Sequence, residues 1–126
     1  LVLVPGLLDL QYAWNRGVSF SFLWQSTATG SAVLALSLAV LALAFAIAAF
    51  RAERPLVAAG FGLIVGGAVG NLTDRVFHGA VFDFLVVRIG QQPLFVCNSA
   101  DIFISLGLIL WLADMLLTPR STGTMR

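Results

Sequence analysis

Residues 17–50 contain no Asp, Glu, Lys or Arg. The second part of that stretch, residues 31–50 (SAVLALSLAVLALAFAIAAF), is Ala, Leu, Val, Phe and Ile apart from Ser31 and Ser37. At about 1.5 Å per residue, a helix of this length crosses the roughly 30 Å hydrocarbon core of a bilayer. A helix packed on a water-soluble domain keeps a polar face, and this one has none. A transmembrane helix is therefore predicted at residues 31–50. The rest of the chain agrees. Of 126 residues, 60% are hydrophobic and 10% charged, against roughly a quarter charged in soluble domains. This excludes a soluble enzyme, a disordered tail and a basic nucleic-acid-binding domain. The single cysteine, Cys97, excludes an intramolecular disulfide framework and a CxxC metal site.

Two further spans are predicted. Thr27, Thr29, Gly30 and Ser31 read as capping and turn residues before the first span, and residues 51–54 end it. Pro55 suits the first position of the next helix, which is expected over residues 55–73. Ala58, Gly62, Gly66 and Gly70 recur along it every four residues. Such a stripe is expected to let another helix approach closely in lipid. The third span is expected over residues 98–117. Asn98 is its N-cap and Asp101 follows three residues later, at the positive end of the helix dipole. Asp114 sits near the other end, where it is expected to reach the interface.

The arginines orient the bundle. Arg51, Arg54, Arg120 and Arg126 fall on one side of the three spans, and Arg16, Arg75 and Arg88 on the other. The excess marks the first side as cytoplasmic. Residues 1–30 and 71–96 then lie outside, and a helix upstream of Leu1 is expected to bring the chain there. In the outer part, Pro5-Gly6 is a turn, and Phe20, Phe22 and Trp24 alternate with Ser21 and Leu23. This reads as short strands or an interfacial flap. Residues 81–89, rich in Val and Phe, supply another strand, and residues 90–93 a turn. The expected fold is an all-α membrane protein: one domain, residues 1–126, a transmembrane helix bundle with a small β-sheet on its outer face.

The six acids divide by setting. Glu53 is a loop charge between arginines, and Asp9 is expected to be solvated. Asp74, Asp83 and Asp101 fall at the outer ends of the second and third spans, where an ionised group is costly unless paired or wet. Asp74 has Arg75 beside it and Asn71 three residues before, a set able to satisfy itself. Asp83 is flanked by Phe82 and Phe84, and Asp101 opens an apolar helix. Two carboxylates brought together there would share one proton. That is what aspartic-type hydrolysis needs, one group taking a proton from water and the other polarising the carbonyl. Spacing alone favours the plainer reading, a helix-end charge at Asp101 and a turn residue at Asp83. Asp74 and His78, four apart, make only two ligands, and no metal site is expected. Cys97 as a nucleophile would need His78 as its base, and no motif surrounds either.

Four blocks in order resemble the bacterial lipoprotein signal peptidases (signal peptidase II): Asn15-Arg-Gly17-Val-Ser-Phe20, then residues 66–75 (GGAVGNLTDR), then Val81-Phe82-Asp83-Phe84, then Asn98-Ser-Ala100-Asp101. The resemblance implies a four-helix membrane aspartic peptidase of the bacterial inner membrane, acting as a monomer with its site facing the periplasm. It implies a diacylglyceryl-modified prolipoprotein as substrate, cut before the lipidated cysteine. Neither metal nor organic cofactor is implied, and no nucleic acid. By the same resemblance Asp83 and Asp101 are the catalytic pair. Asn15, Gly17, Asn71, Arg75, Asn98 and Ala100 hold the pair or position substrate, and Asp74 is a supporting carboxylate. Two departures stand out: the family's first helix would lie upstream of Leu1, and Cys97 stands where the family often has Phe. A rival reading, a small transporter or proton relay, expects acids near mid-span. A non-catalytic assembly partner would need only the glycine stripe.

Overall fold

A computed structural model describes residues 1–15 and 27–118. Gly17, Phe20, Phe22, Trp24 and the arginines at 16, 120 and 126 lie outside the described residues. Among the described residues, three helices are long and apolar enough to cross a membrane: α1 (Ala28–Arg51), α2 (Pro55–His78) and α3 (Ser99–Leu117). Each begins where a local signal places it. Thr27 caps α1, its Oγ1 accepting the Gly30 N–H at 3.0 Å, so Thr29, Gly30 and Ser31 belong to the first turn rather than preceding it. Pro55 opens α2. Asn98 caps α3 in a reciprocal box with Asp101.

α2 continues beyond the expected end at residue 73, to His78, and stops at Gly79 with φ 72°. That left-handed conformation suits glycine and closes the helix. Asn71, Asp74 and Arg75 are therefore held on helical backbone. α2 is the central helix and packs against both α1 and α3.

The glycines that permit this packing are not the expected stripe. A Cβ on Gly62 or Gly66 would meet nothing within 4 Å, and one on Gly70 only the Ala100 Cβ at 3.6 Å. The close approach uses Gly60 and Gly67 of α2 with Gly107 of α3. A Cβ on Gly60 would stand 2.8 Å from the Gly107 carbonyl oxygen, and one on Gly67 would collide with that of Ala100. The reason is periodicity. Every fourth residue advances about 40° around a helix, so a four-member stripe turns away from a straight neighbour. Residues seven apart stay within about 20°, which keeps Gly60 and Gly67 on one seam.

Among the described residues, four strands form an antiparallel sheet in the order β1-β2-β3-β4: β1 (Val2–Val4), β2 (Leu8–Asn15), β3 (Val81–Ile89) and β4 (Gln92–Cys97). The expected strand at 81–89 is present. The expected turn at 90–93 is shorter: Gly90 and Gln91 make it, with Gly90 at φ 60°, and Gln92 already pairs with Ile89. A bulge between Leu10 and Ala13 changes the side-chain parity of β2. Leu8 and Leu10 before it, and Ala13 and Asn15 after it, thus share the face of the sheet that carries Asp83, Leu85 and Val87. The opposite face carries Tyr12, Trp14, Phe82 and Phe84, their rings 5.1–6.0 Å apart.

Two acids differ from expectation. Asp9 is not simply solvated: it is ion-paired with Arg88 on the neighbouring strand. Asp114 does not reach outward but is buried, 2.6 Å from the Arg54 guanidinium at the start of α2. An acid at a helix C-terminus opposes the dipole, and the arginine offsets it.

Candidate active site

The C-terminal end of α2, the N-terminal end of α3 and the helix-facing side of the sheet converge on a buried polar cluster: Asn15, Asn71, Arg75, Asp83, Asn98 and Asp101. Asp83 is 1% exposed. It is buried because strand alternation turns it to the same face as Val81, while Phe82 and Phe84 turn away. Its partners come from distant segments. Asn15 Nδ2 donates to Asp83 Oδ2 at 2.9 Å, across the β2–β3 pairing. Asn98 Nδ2 donates to Asp83 Oδ1 at 2.8 Å.

Asn98 joins the two carboxylates. Its backbone N–H donates to Asp101 Oδ2 at 3.1 Å, and its side-chain oxygen accepts the Asp101 backbone N–H at 3.1 Å. A backbone N–H only donates, so the amide oxygen of Asn98 must face it. The amide nitrogen then faces Asp83 and also donates to Asn71 Oδ1 at 3.0 Å. This in turn fixes the Asn71 nitrogen toward Asp101 Oδ1, at 3.3 Å. One helix-capping hydrogen bond therefore sets the orientation of both amides and aims a donor at each carboxylate.

Arg75 supplies the positive charge. Its guanidinium donates to the Asn71 carbonyl at 3.2 Å and lies within electrostatic reach of Asp83, Asp101 and Asp74. Burial pushes the Asp83 carboxyl above its usual range. The Asp101 charge adds to the rise, while the amides of Asn15 and Asn98 and the Arg75 charge oppose it. Two carboxyls, three amides and one guanidinium thus share one buried cluster.

The other expected residues fall into place around it. Asp74 points to the sheet, where its Oδ2 accepts the Phe82 N–H at 3.3 Å. It anchors the start of β3 rather than closing a cluster with Asn71. Ala100 sits at the helix seam: its carbonyl is what a Cβ on Gly67 would strike, and its own Cβ lies 3.6 Å from where one on Gly70 would stand. Cys97, next to Asn98, is buried; burial and the nearby Asp101 and Asp83 charges push its thiol up, away from nucleophilic use. His78 lies against Trp14, ring centroids 5.8 Å apart. Two contributors were not legible in sequence. Gly67 lies outside the four-residue stripe, so spacing does not mark it as a packing position. β4, which carries Cys97 to the cluster, has no alternating pattern to announce it.

Comparison with known proteins follows the same lines. The family model described as "Signal peptidase (SPase) II" matches residues 1–117. The lipoprotein signal peptidase of Nitrobacter hamburgensis is 36% identical over 125 residues, covering 95% of this chain and 76% of that protein. Those of Azoarcus sp. and Rickettsia felis are 40% and 32% identical, covering 86% and 93% of this chain but 63% and 59% of their own lengths. The chain thus spans about three fifths of several curated relatives it matches. A solved structure described as a bacterial membrane enzyme superposes with a TM-score of 0.71 at 23% identity, over 99% of this chain and 74% of that one. A second gives 0.69 at 22% identity.

Proposed function

Because this chain belongs to the signal peptidase II family, we propose that it removes signal peptides from diacylglyceryl-modified prolipoproteins, cutting before the lipidated cysteine. The observation that carries the reading is the bridge from Asn98 to both Asp83 and Asp101. One residue links the two carboxylates, its side-chain amide donating to Asp83 and its backbone N–H to Asp101, at the end of a membrane helix bundle, the depth at which a lipid-anchored peptide presents its scissile bond.

In this reading a water molecule lies between the carboxyls. The ionised aspartate takes a proton from the water as its oxygen attacks the peptide carbonyl. The protonated aspartate donates its hydrogen bond to that carbonyl oxygen, stabilising the tetrahedral intermediate. Collapse breaks the C–N bond, and a carboxyl proton passes to the leaving amine of the cysteine. Arg75 and Asn71 balance the charge that develops, and Asn15 holds Asp83 in place. Gly17 contributes substrate contacts. The chemistry uses no metal or organic cofactor. The enzyme acts as a monomer in the bacterial inner membrane, with its site toward the periplasm and the arginines of residues 51–54 on the cytoplasmic side.

The acids in the described helices, Asp74, Asp101 and Asp114, all lie within five residues of a helix end. A proton or solute path would string such groups across the span, so the transporter reading has no observation in its favour. The test is cleavage by the full-length protein in liposomes of a prolipoprotein with and without its diacylglyceryl group. The reading expects one cut, immediately before the cysteine and only in the lipidated form. A cut elsewhere, or equal cleavage of the unlipidated form, would overturn it.

A further inference from the structure

We propose that His78 is a positioning residue for the Asp83–Asp101 pair, holding Asn15 on Asp83 through the ring of Trp14; this rests on the peptidase reading above. The last turn of α2 grips the sheet at two points. Asp74 and His78, four residues apart, share one face of the helix. Asp74 Oδ2 accepts the Phe82 N–H of β3 at 3.3 Å. His78 meets β2 instead: its ring lies against Trp14, centroids 5.8 Å apart and planes inclined by 41°. Trp14 also meets Phe82, at 5.4 Å. Its ring thus joins the helix that carries Asn71 and Arg75 to the strand that carries Asp83.

Asn15 follows Trp14 directly and is the last residue of β2. Neighbours on a strand point to opposite faces, so Trp14 turns to the aromatic side and Asn15 to Asp83, where its Nδ2 donates at 2.9 Å. The bulge between Leu10 and Ala13 separates this strand end from the rest of the register. Three pairs then set it: Ala13 with Asp83, Trp14 with Phe82 and Asn15 with Val81. Trp14 is 54% exposed, so little burial fixes it and its ring neighbours do. Asp83 faces Arg75 from α2, Asp101 and the Asn98 amide from α3 and its cap, and Asn15 from β2, with the Cys97 thiol of β4 nearby. Of these, Asn15 is the one that His78 steadies. Its hydrogen bond favours the ionised carboxylate, so a loosened Asn15 leaves Asp83 protonated up to higher pH.

The experiment measures kcat, KM and their pH profiles on a diacylglyceryl prolipoprotein in liposomes. It compares full-length wild type, His78→Leu, His78→Phe, Trp14→Leu and the double variant His78→Leu with Trp14→Leu. A ring pair of this kind biases an equilibrium by about three- to tenfold. His78→Leu is expected to lower kcat by that factor, to leave KM within about twofold, and to move the acid limb of the kcat profile to higher pH. His78→Phe keeps a ring and should restore both. The double variant should be no slower than Trp14→Leu alone, because the two residues act through one contact. Unchanged kcat and acid limb in His78→Leu overturn the proposal. So do additive losses in the double variant, or a His78→Phe enzyme as impaired as His78→Leu. Thermal midpoints over the same pH range follow the Asp83 titration without turnover, and their fall should extend to higher pH in His78→Leu than in the wild type. If the wild type cuts nothing while that extension is present, the peptidase reading fails and the link from His78 to Asp83 holds; if the extension is absent, the link fails.

Discussion

Asn98 and Asp83, fifteen residues apart and on different elements, are joined by a 2.8 Å hydrogen bond whose direction is imposed by the helix cap of α3. The same asparagine therefore has two separable jobs, capping and bridging. Serine is as good an N-cap but too short to reach Asp83. Asn98→Ser is expected to keep its thermal midpoint near that of the wild type while cleavage falls by about 10²-fold or more. Asn98→Ala should lose both, with an added stability cost of about 1–2 kcal/mol. Thermal unfolding in detergent and single-turnover cleavage separate the two effects.

Burial raises the Asp83 carboxyl above its ordinary value of 3.8. The native state then binds more protons than the unfolded chain between 3.8 and the raised native value. Its contribution to stability is fully present below 3.8 and is lost as pH rises through the native value. Asp83→Asn removes this titration. Thermal midpoints measured from acid to neutral pH should fall less steeply for Asp83→Asn than for the wild type. Parallel curves would contradict the assignment.

The two sets of glycines on α2 predict opposite outcomes. Gly67→Ala drives a methyl into the Ala100 carbonyl, which must shift the helix carrying Asp101. A loss of about 1–3 kcal/mol is expected, with cleavage reduced. Gly62→Ala meets open space and should be neutral or stabilising by up to about 1 kcal/mol, because alanine is the better helix former. Thermal midpoints and cleavage rates of the two variants side by side check this.

At the far end of the bundle, Arg54→Ala leaves the buried Asp114 carboxylate without its 2.6 Å partner. A loss of about 1–3 kcal/mol is expected, below that of a fully buried pair because Arg54 is half-exposed. Combining Arg54→Ala with Asp114→Leu should recover most of the thermal midpoint. A double variant no more stable than Arg54→Ala would show that the pair is not what holds this end.

The helices were legible because their signals are local. The charge-free run of residues 31–50, Pro55 at a helix start and the Asn98–Asp101 cap each act within a few residues. What sequence spacing left open was anything that depends on chain reversal. Asp9 looked solvated because Arg88 lies on the next strand, and Asp114 looked interfacial because Arg54 lies sixty residues earlier. The helix seam departs from the stripe because a four-residue repeat, conspicuous in sequence, drifts around a helix. The union of Asp83 and Asp101 was only one of several readings from spacing. It rested on the resemblance to signal peptidase II, since the bridge depends on how β3 returns to α3.

The central claim is that Asp83 and Asp101 act as one pair. It is tested most directly by single-turnover cleavage of a diacylglyceryl prolipoprotein by full-length Asp83→Asn and Asp101→Asn in liposomes. Each variant is expected to be at least about 10³-fold slower than the wild type while remaining helical and folded. A folded variant of either kind that cleaves within tenfold of the wild-type rate would contradict the account.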